Sequence, residues 1–244
     1  VLNQIDDAAA NELLTFYQSH LNQGVSGPGK YEAHFSIALL LWRNYGQNKL
    51  QSIIDHFRQA AEASVQIIEA RPSRCKRTSD DVFNFMFPVL VTYIFGTRSN
   101  RKRLALIERK QWAPVHGDEY ESLIMLFELL CKEAVKREFA TVELRRILKQ
   151  NAGYSTHPFY RPWIDAMCHA LLAIANDDLA SLERNIDILI ELHADEAYDG
   201  SWSRLVEGLI AFWPLAVKVT AEYQGIKPKT ESVYMPNIPL KAVD

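Results

Sequence analysis

Four carboxylates, Glu183, Asp187, Glu191 and Asp195, stand four residues apart along one stretch of the chain. On an α-helix that spacing stacks them on a single face. Asp177, Asp178, Glu196 and Asp199 extend the acidic region, and Arg184 is its only Lys or Arg. Each like-charged i,i+4 pair costs a helix roughly 0.2–0.5 kcal/mol, so the pattern asks for a reason. Leu182, Ile186, Leu189 and Ile190 mark an opposite face that can be buried. Two readings stand: the solvated side of an amphipathic helix, or an acidic ridge that docks a positively charged partner, complementary charge speeding the encounter.

Other chemistry is sparse. None of the seven histidines sits in an HExxH pattern, and no carboxylate cluster has metal-ligand spacing beside them. Cys168 and His169 are adjacent on a predicted helix and so point about 100° apart, which prevents them from pairing as nucleophile and base. A catalytic site assembled from distant residues, with His157, Asp165 and His169 as its members, is the enzymatic alternative. No GxSxG, Walker loop or GxGxxG occurs, and Gly24, Gly27 and Gly29 around Pro28 lack the Lys-Ser/Thr of a phosphate loop. No catalytic residue, cofactor or metal is therefore assigned.

Two basic clusters flank one predicted helix: Arg71, Arg74, Lys76 and Arg77 before it, Arg98, Arg101, Lys102 and Arg103 after it. A helix of about 15 residues separates its ends by ~22 Å, and without interleaved aromatics the clusters do not make a single-strand groove. They are expected to be solvated loop charges. A formal net charge of −3 also argues against a strongly basic nucleic-acid binder, so no direct nucleic-acid contact is expected.

The chain has 244 residues, 48% hydrophobic and 23% charged, which describes a globular protein able to bury a core. Cys75, Cys131 and Cys168 are odd in number and form no CxxC, so free thiols in a reducing compartment, the cytoplasm, are expected. No apolar run approaches ~18 residues, so no membrane span is expected. Val1-Leu2-Asn3-Gln4 does not read as a signal peptide.

The elements that must position these residues are helices. Leu13, Leu14, Tyr17 and Leu21 recur at helical spacing, and Ile37, Leu40, Leu41 and Tyr45 lead to a C-cap at Gly46. Ile53, Ile54, Phe57, Ala61, Val65 and Ile68 form an apolar stripe that stops before Pro72. Ser79 or Asp80 caps a helix running to Gly96, which Pro88 should kink or split. Further helices are predicted from about Ser99 to Trp112, Asp118 to Lys136, Thr141 to Lys149, Phe159 to Ala175 with Pro162 in the first turn, and from Asp177 or Asp178 to about His193. The last is predicted over Ser201 to Gln224, interrupted by Pro214 and closed by Gly225, with an extended tail over residues 226–244. No β-alternation and no fixed repeat appear. The expected fold is all-α: an irregular bundle of about nine or ten mostly antiparallel helices, a single unit over residues 1–244. A weak division near Asn151 to His157 suggests subdomains 1–152 and 153–244.

Four short stretches carry a resemblance. Tyr198-Asp199-Gly200-Ser201-Trp202-Ser203, Val206-Glu207-Gly208-Leu209-Ile210, Gly225-Ile226 and Ser232-Val233-Tyr234-Met235-Pro236 together resemble the closing segment of bacterial polymorphic-toxin immunity proteins of the PoNi and immunity-protein-49 families. Residues Ser36 to Ile68 resemble the N-terminal helical pair of the PoNi family. Tyr198-Asp199-Gly200-Ser201 departs from those families' Tyr-Gly-Tyr order. Trp202, Gly208 and Tyr234-Met235-Pro236 read as fold anchors. The resemblance implies a cytoplasmic immunity protein that binds one cognate secreted antibacterial toxin, a nuclease delivered by a contact-dependent or type VI route, and occludes its active site. The alternative is a helical adaptor whose grooves hold peptide segments.

Overall fold

The computed structural model describes residues 4–71, 77–114, 119–153 and 157–238. Expectations for Pro72, Arg74, Cys75, Lys76, Asp118 and residues 239–244 lie outside that set. The described residues form ten α-helices and no strand: α1 (Asp7–Asn22), α2 (Gly27–Tyr45), α3 (Leu50–Glu69), α4 (Ser79–Phe95), α5 (Arg98–Leu104), α6 (Glu121–Lys132), α7 (Thr141–Asn151), α8 (Arg161–Ala175), α9 (Leu179–Tyr198) and α10 (Phe212–Tyr223). Single 3₁₀ turns occur at Gly46–Lys49, Arg109–Gln111 and Val206–Leu209.

Local chemistry sets most helix starts. Asp6 accepts from the Ala9 N–H at 2.8 Å to begin α1, and Asp178 accepts from the Ser181 N–H at 3.0 Å to begin α9. Both satisfy an orphan donor of the first turn. At α4 the cap is Thr78, ahead of the expected Ser79 or Asp80. Thr78 N–H donates to Asp81 at 2.9 Å, and Arg71 pairs with the same carboxylate. Gly46 ends α2 at φ 52°, a conformation that carries little cost only without a Cβ.

Sequential helices pack as neighbours: α1 on α2, α2 on α3, α3 on α4, α7 on α8, and α8 on α9. α10 then lies against α4, α8 and α9, so the hydrophobic cluster draws on residues from both sides of Asn151. Its centre is aromatic. Phe57 stacks on Phe95 with centroids 4.3 Å apart, Phe35 on Phe212 at 5.5 Å, and Trp163 approaches Trp202 at 5.5 Å and Trp213 at 5.6 Å. Such pairs add about 0.5–1.5 kcal/mol each beyond the area they bury.

Four expectations are corrected. The helix predicted over Ser201 to Gln224 begins at Phe212, and residues 201–211 form turns and a 3₁₀ segment instead. Gly200, Ser201 and Gly208 are weak helix formers, and Ala211 N–H donates to the Tyr234 carbonyl of the tail at 2.9 Å. Pro214 therefore sits in the first turn of α10, where its missing N–H costs nothing. The segment from Ser99 to Trp112 breaks after Leu104 so that Ile107 and Trp112 both reach the interior, Trp112 stacking on Phe85 at 4.4 Å. Pro88 does not split α4, which runs on to Phe95 with Phe85, Val89 and Leu90 all buried. Finally, the second basic cluster is not uniformly solvated. Arg101 is buried and donates to the Gly96 carbonyl at 2.6 Å, while Arg103 holds Glu69 through two nitrogens and Glu62 through the third. That fork ties α5 to α3.

Candidate functional site

The four spaced carboxylates lie on α9, which extends past His193 to Tyr198. Leu182, Ile186 and Leu189 are buried, as a 3.6-residue period requires. Asp187, Glu191 and Asp195 are exposed and form no ion pair with any described residue. Glu183 is different. It is half-buried, and its Oε1 accepts from the Lys229 N–H at 2.8 Å, so it anchors the tail to α9. Ile188 and Tyr198, 37% and 62% exposed, share the outer side of the helix with Glu191 and Asp195.

Beneath that helix the tail closes over the body. His193 is buried; its Nε2–H donates to the Gly208 carbonyl at 3.1 Å, and its ring meets Tyr234 edge-on at 5.0 Å. Tyr234 and Met235 are themselves buried, which supports reading Tyr234-Met235-Pro236 as a strap. Burial lowers the His193 pKa from 6.5 to about 4. The neutral imidazole is the form the fold holds, so this group's contribution to stability is complete above pH 6.5 and is lost as pH falls toward about 4. Desolvation, with His56 close by, also lowers His34 to about 4, and desolvation lowers His56; their Nδ1 atoms are 3.0 Å apart. Acid titration should thus destabilise the protein across pH 6.5 to 4, with about 3 kcal/mol from His193 alone. Denaturant unfolding at successive pH values checks this, and His193→Gln, which does not titrate, should flatten the profile.

A second constellation lies on another face. α1 supplies Leu13 and Tyr17, α2 supplies Tyr31, Glu32, Phe35 and Ser36, and α4 supplies Phe83, Asn84, Phe87 and Pro88. The Arg204–Glu207 turn completes a cleft of about 510 Å³. Tyr17 Oη–H donates to Glu32 Oε1 at 3.3 Å. Glu207 is half-buried; desolvation raises its pKa, and the Glu32 carboxylate adds to the rise. Neither Glu32 nor Glu207 is in an ion pair with a described residue. Tyr31 Oη is shielded from solvent and has no hydrogen-bond partner, and burial holds its phenol well above the usual range. Tyr31 stacks on Phe35 at 5.4 Å, and Phe35 meets Phe87 at 5.9 Å, so the floor is aromatic. An adjoining cavity of about 540 Å³ shares Tyr31, Glu32, Asn84 and Pro88 and is otherwise lined by Pro28, by Ser64, Ile67 and Ile68 of α3, by Arg71 and by Phe85.

His157 is engaged apart from Asp165 and His169. His157 stacks on Tyr120 at 5.2 Å and its Nδ1 accepts from the Phe159 N–H. Asp165 accepts from Asn151 Nδ2 at 2.7 Å, and His169 Nδ1–H donates to the Asp165 backbone carbonyl at 2.8 Å. Cys168 is buried while His169 is exposed, as their 100° separation demands. Burial pushes the Cys131 and Cys168 thiols well above the usual range, which makes both poor nucleophiles. Among the described residues no group of three His, Cys, Asp or Glu could hold a metal, and no helix is long and apolar enough to cross a membrane.

Sequence reasoning missed the cleft. Glu207 stood out only as part of an anchor segment, and Tyr17, Tyr31 and Glu32 carried no motif; folding brings them together from opposite ends of the chain. In comparisons with known proteins, no family model, curated protein or solved structure matches this chain.

Proposed function

We propose that this protein acts by binding another protein, and that its partner is a secreted toxin which it neutralises as an immunity protein. The observation that carries the reading is the outer face of α9. Asp187, Glu191 and Asp195 project into solvent and are in no ion pair with a described residue, beside exposed Ile188 and Tyr198. A face that combines unpaired acids with an aromatic and an aliphatic side chain suits a basic partner surface, such as that of a nucleic-acid-cleaving enzyme. The resemblance of the 198–236 segment to immunity proteins supplies the toxin.

Charge reversal tests the assignment of the face. Asp187→Lys with Glu191→Lys should weaken toxin binding about tenfold and reduce its salt dependence, because long-range attraction is what salt screens. Unchanged affinity would remove α9 from the interface and leave the immunity reading standing.

A second reading, a peptide-holding adaptor, draws on the two adjoining cavities that share Tyr31, Glu32, Asn84 and Pro88. It predicts recovery of short segments from several proteins in a pull-down, where the immunity reading predicts one tight partner.

A further inference from the structure

The α1–α2–α4 cleft has a composition that restricts what can fill it. Glu32 and Glu207 line it with no cation in ion-pair range among the described residues, and Arg204 at the rim is exposed. Phe35, Phe83 and Phe87 supply aromatic surface, and the Tyr31 hydroxyl is shielded there without a partner. Carboxylates attract a positive charge, ring faces attract it through their quadrupole, and an apolar floor rewards a hydrocarbon body. Hydrated metal ions suit this lining poorly, since hard cations seek several oxygen ligands. The volume, about 510 Å³, falls in the range of small-molecule sites.

We propose that this cleft binds a small organic cation, an ammonium or guanidinium group carried on an apolar or aromatic body, with Glu32 and Glu207 as counter-charges and the Tyr31 hydroxyl as a hydrogen-bond acceptor. The ammonium group sits between the two carboxylates, and its body lies over Phe35 and Phe87. The site is separate from the α9 face proposed for the toxin, since it is built from α1, α2, α4 and the 204–207 turn. The groups facing Glu207 are Tyr17 on α1, Tyr31 and Glu32 on α2, and Arg204 on its own turn, while α4 contributes only uncharged Phe83, Asn84, Phe87 and Pro88. Burial and Glu32 both resist ionisation of Glu207, so the cation should bind more tightly as pH rises through the range in which Glu207 loses its proton.

The probe is benzylamine, with benzyl alcohol and benzoate as neutral and anionic counterparts, titrated into the full chain at pH 7 and followed by NMR shifts. Saturable binding of benzylamine, with both counterparts at least about tenfold weaker, is the expected result, a factor of ten being about 1.4 kcal/mol. Glu207→Gln should weaken benzylamine about tenfold and remove the pH dependence. Exposed Glu32→Gln, which does not depend on a buried position, should weaken it as well in a chain whose thermal melt is unchanged. Equal binding of benzylamine and benzyl alcohol, unchanged affinity in Glu32→Gln, or no saturable binding of benzylamine would each overturn the proposal.

Discussion

Gly208→Ala is expected to lower the unfolding free energy by about 3 kcal/mol. A Cβ at this position would lie 2.6 Å from the Trp202 carbonyl oxygen, 3.3 Å from Trp202 Cβ and 3.4 Å from Ala197 Cβ. The first obstacle is backbone, so the whole 202–208 turn has to move. That turn is held from two sides. Trp202 packs against Trp163 and Phe87, and the Gly208 carbonyl takes the His193 hydrogen bond. Moving it loosens a buried bond worth about 1 kcal/mol and opens space beside a large aromatic. Gly225→Ala is the control. Gly225 ends α10 at φ 83°, and a methyl group there would meet nothing within 4 Å, so only the backbone conformation is penalised, by about 1 kcal/mol. Urea unfolding of both variants checks the contrast; equal losses would show that crowding at Gly208 is unimportant.

Arg137→Ala is expected to cost about 3–4 kcal/mol. Arg137 follows α6 at φ 53°, an uncommon conformation for a residue with a side chain, and is 1% exposed. Its Nη2–H donates to the Tyr93 carbonyl at 2.8 Å, and its guanidinium carbon lies 5.3 Å from the ring centres of both Tyr93 and Tyr223. Gln224 Nε2–H donates to the Arg137 carbonyl at 3.1 Å. One side chain therefore joins the loop after α6 to α4 and to the end of α10, where Tyr93 Oη also bonds Thr220 Oγ1 at 2.7 Å. Truncation leaves a large void between two rings and removes a bond to a buried carbonyl. Arg137→Lys keeps the charge and loses the plane that stacks, so it should recover less than half of the loss. Thermal unfolding of the two variants measures this, and a wild-type melt for Arg137→Ala would contradict the assignment.

Helices with one apolar stripe were legible in the sequence because their neighbours are local. The Ile53–Ile68 stripe of α3 and the Asp178 start of α9 rest on spacing and on a cap within three residues. The 201–211 stretch was not legible, since its conformation depends on a tail residue, Tyr234, and on the close contact that Gly208 permits. The buried arginines were hidden for the same reason: Arg101 and Arg137 look like surface residues until Gly96 and Tyr93 present carbonyls to them. Of the acidic row on α9, spacing correctly placed all four residues on one helix. It could not foresee that Glu183 holds the Lys229 amide while Asp187, Glu191 and Asp195 face solvent. Glu32 and Glu207 meet only after folding, and neither has a neighbour in sequence that marks it.

The central claim, that this protein works by holding one toxin, is tested most directly by calorimetric titration with the inactivated product of the reading frame immediately upstream. One-to-one binding with a nanomolar Kd, about −12 kcal/mol, that weakens as salt is added is the predicted result. No heat of binding at micromolar concentrations of both proteins would contradict it.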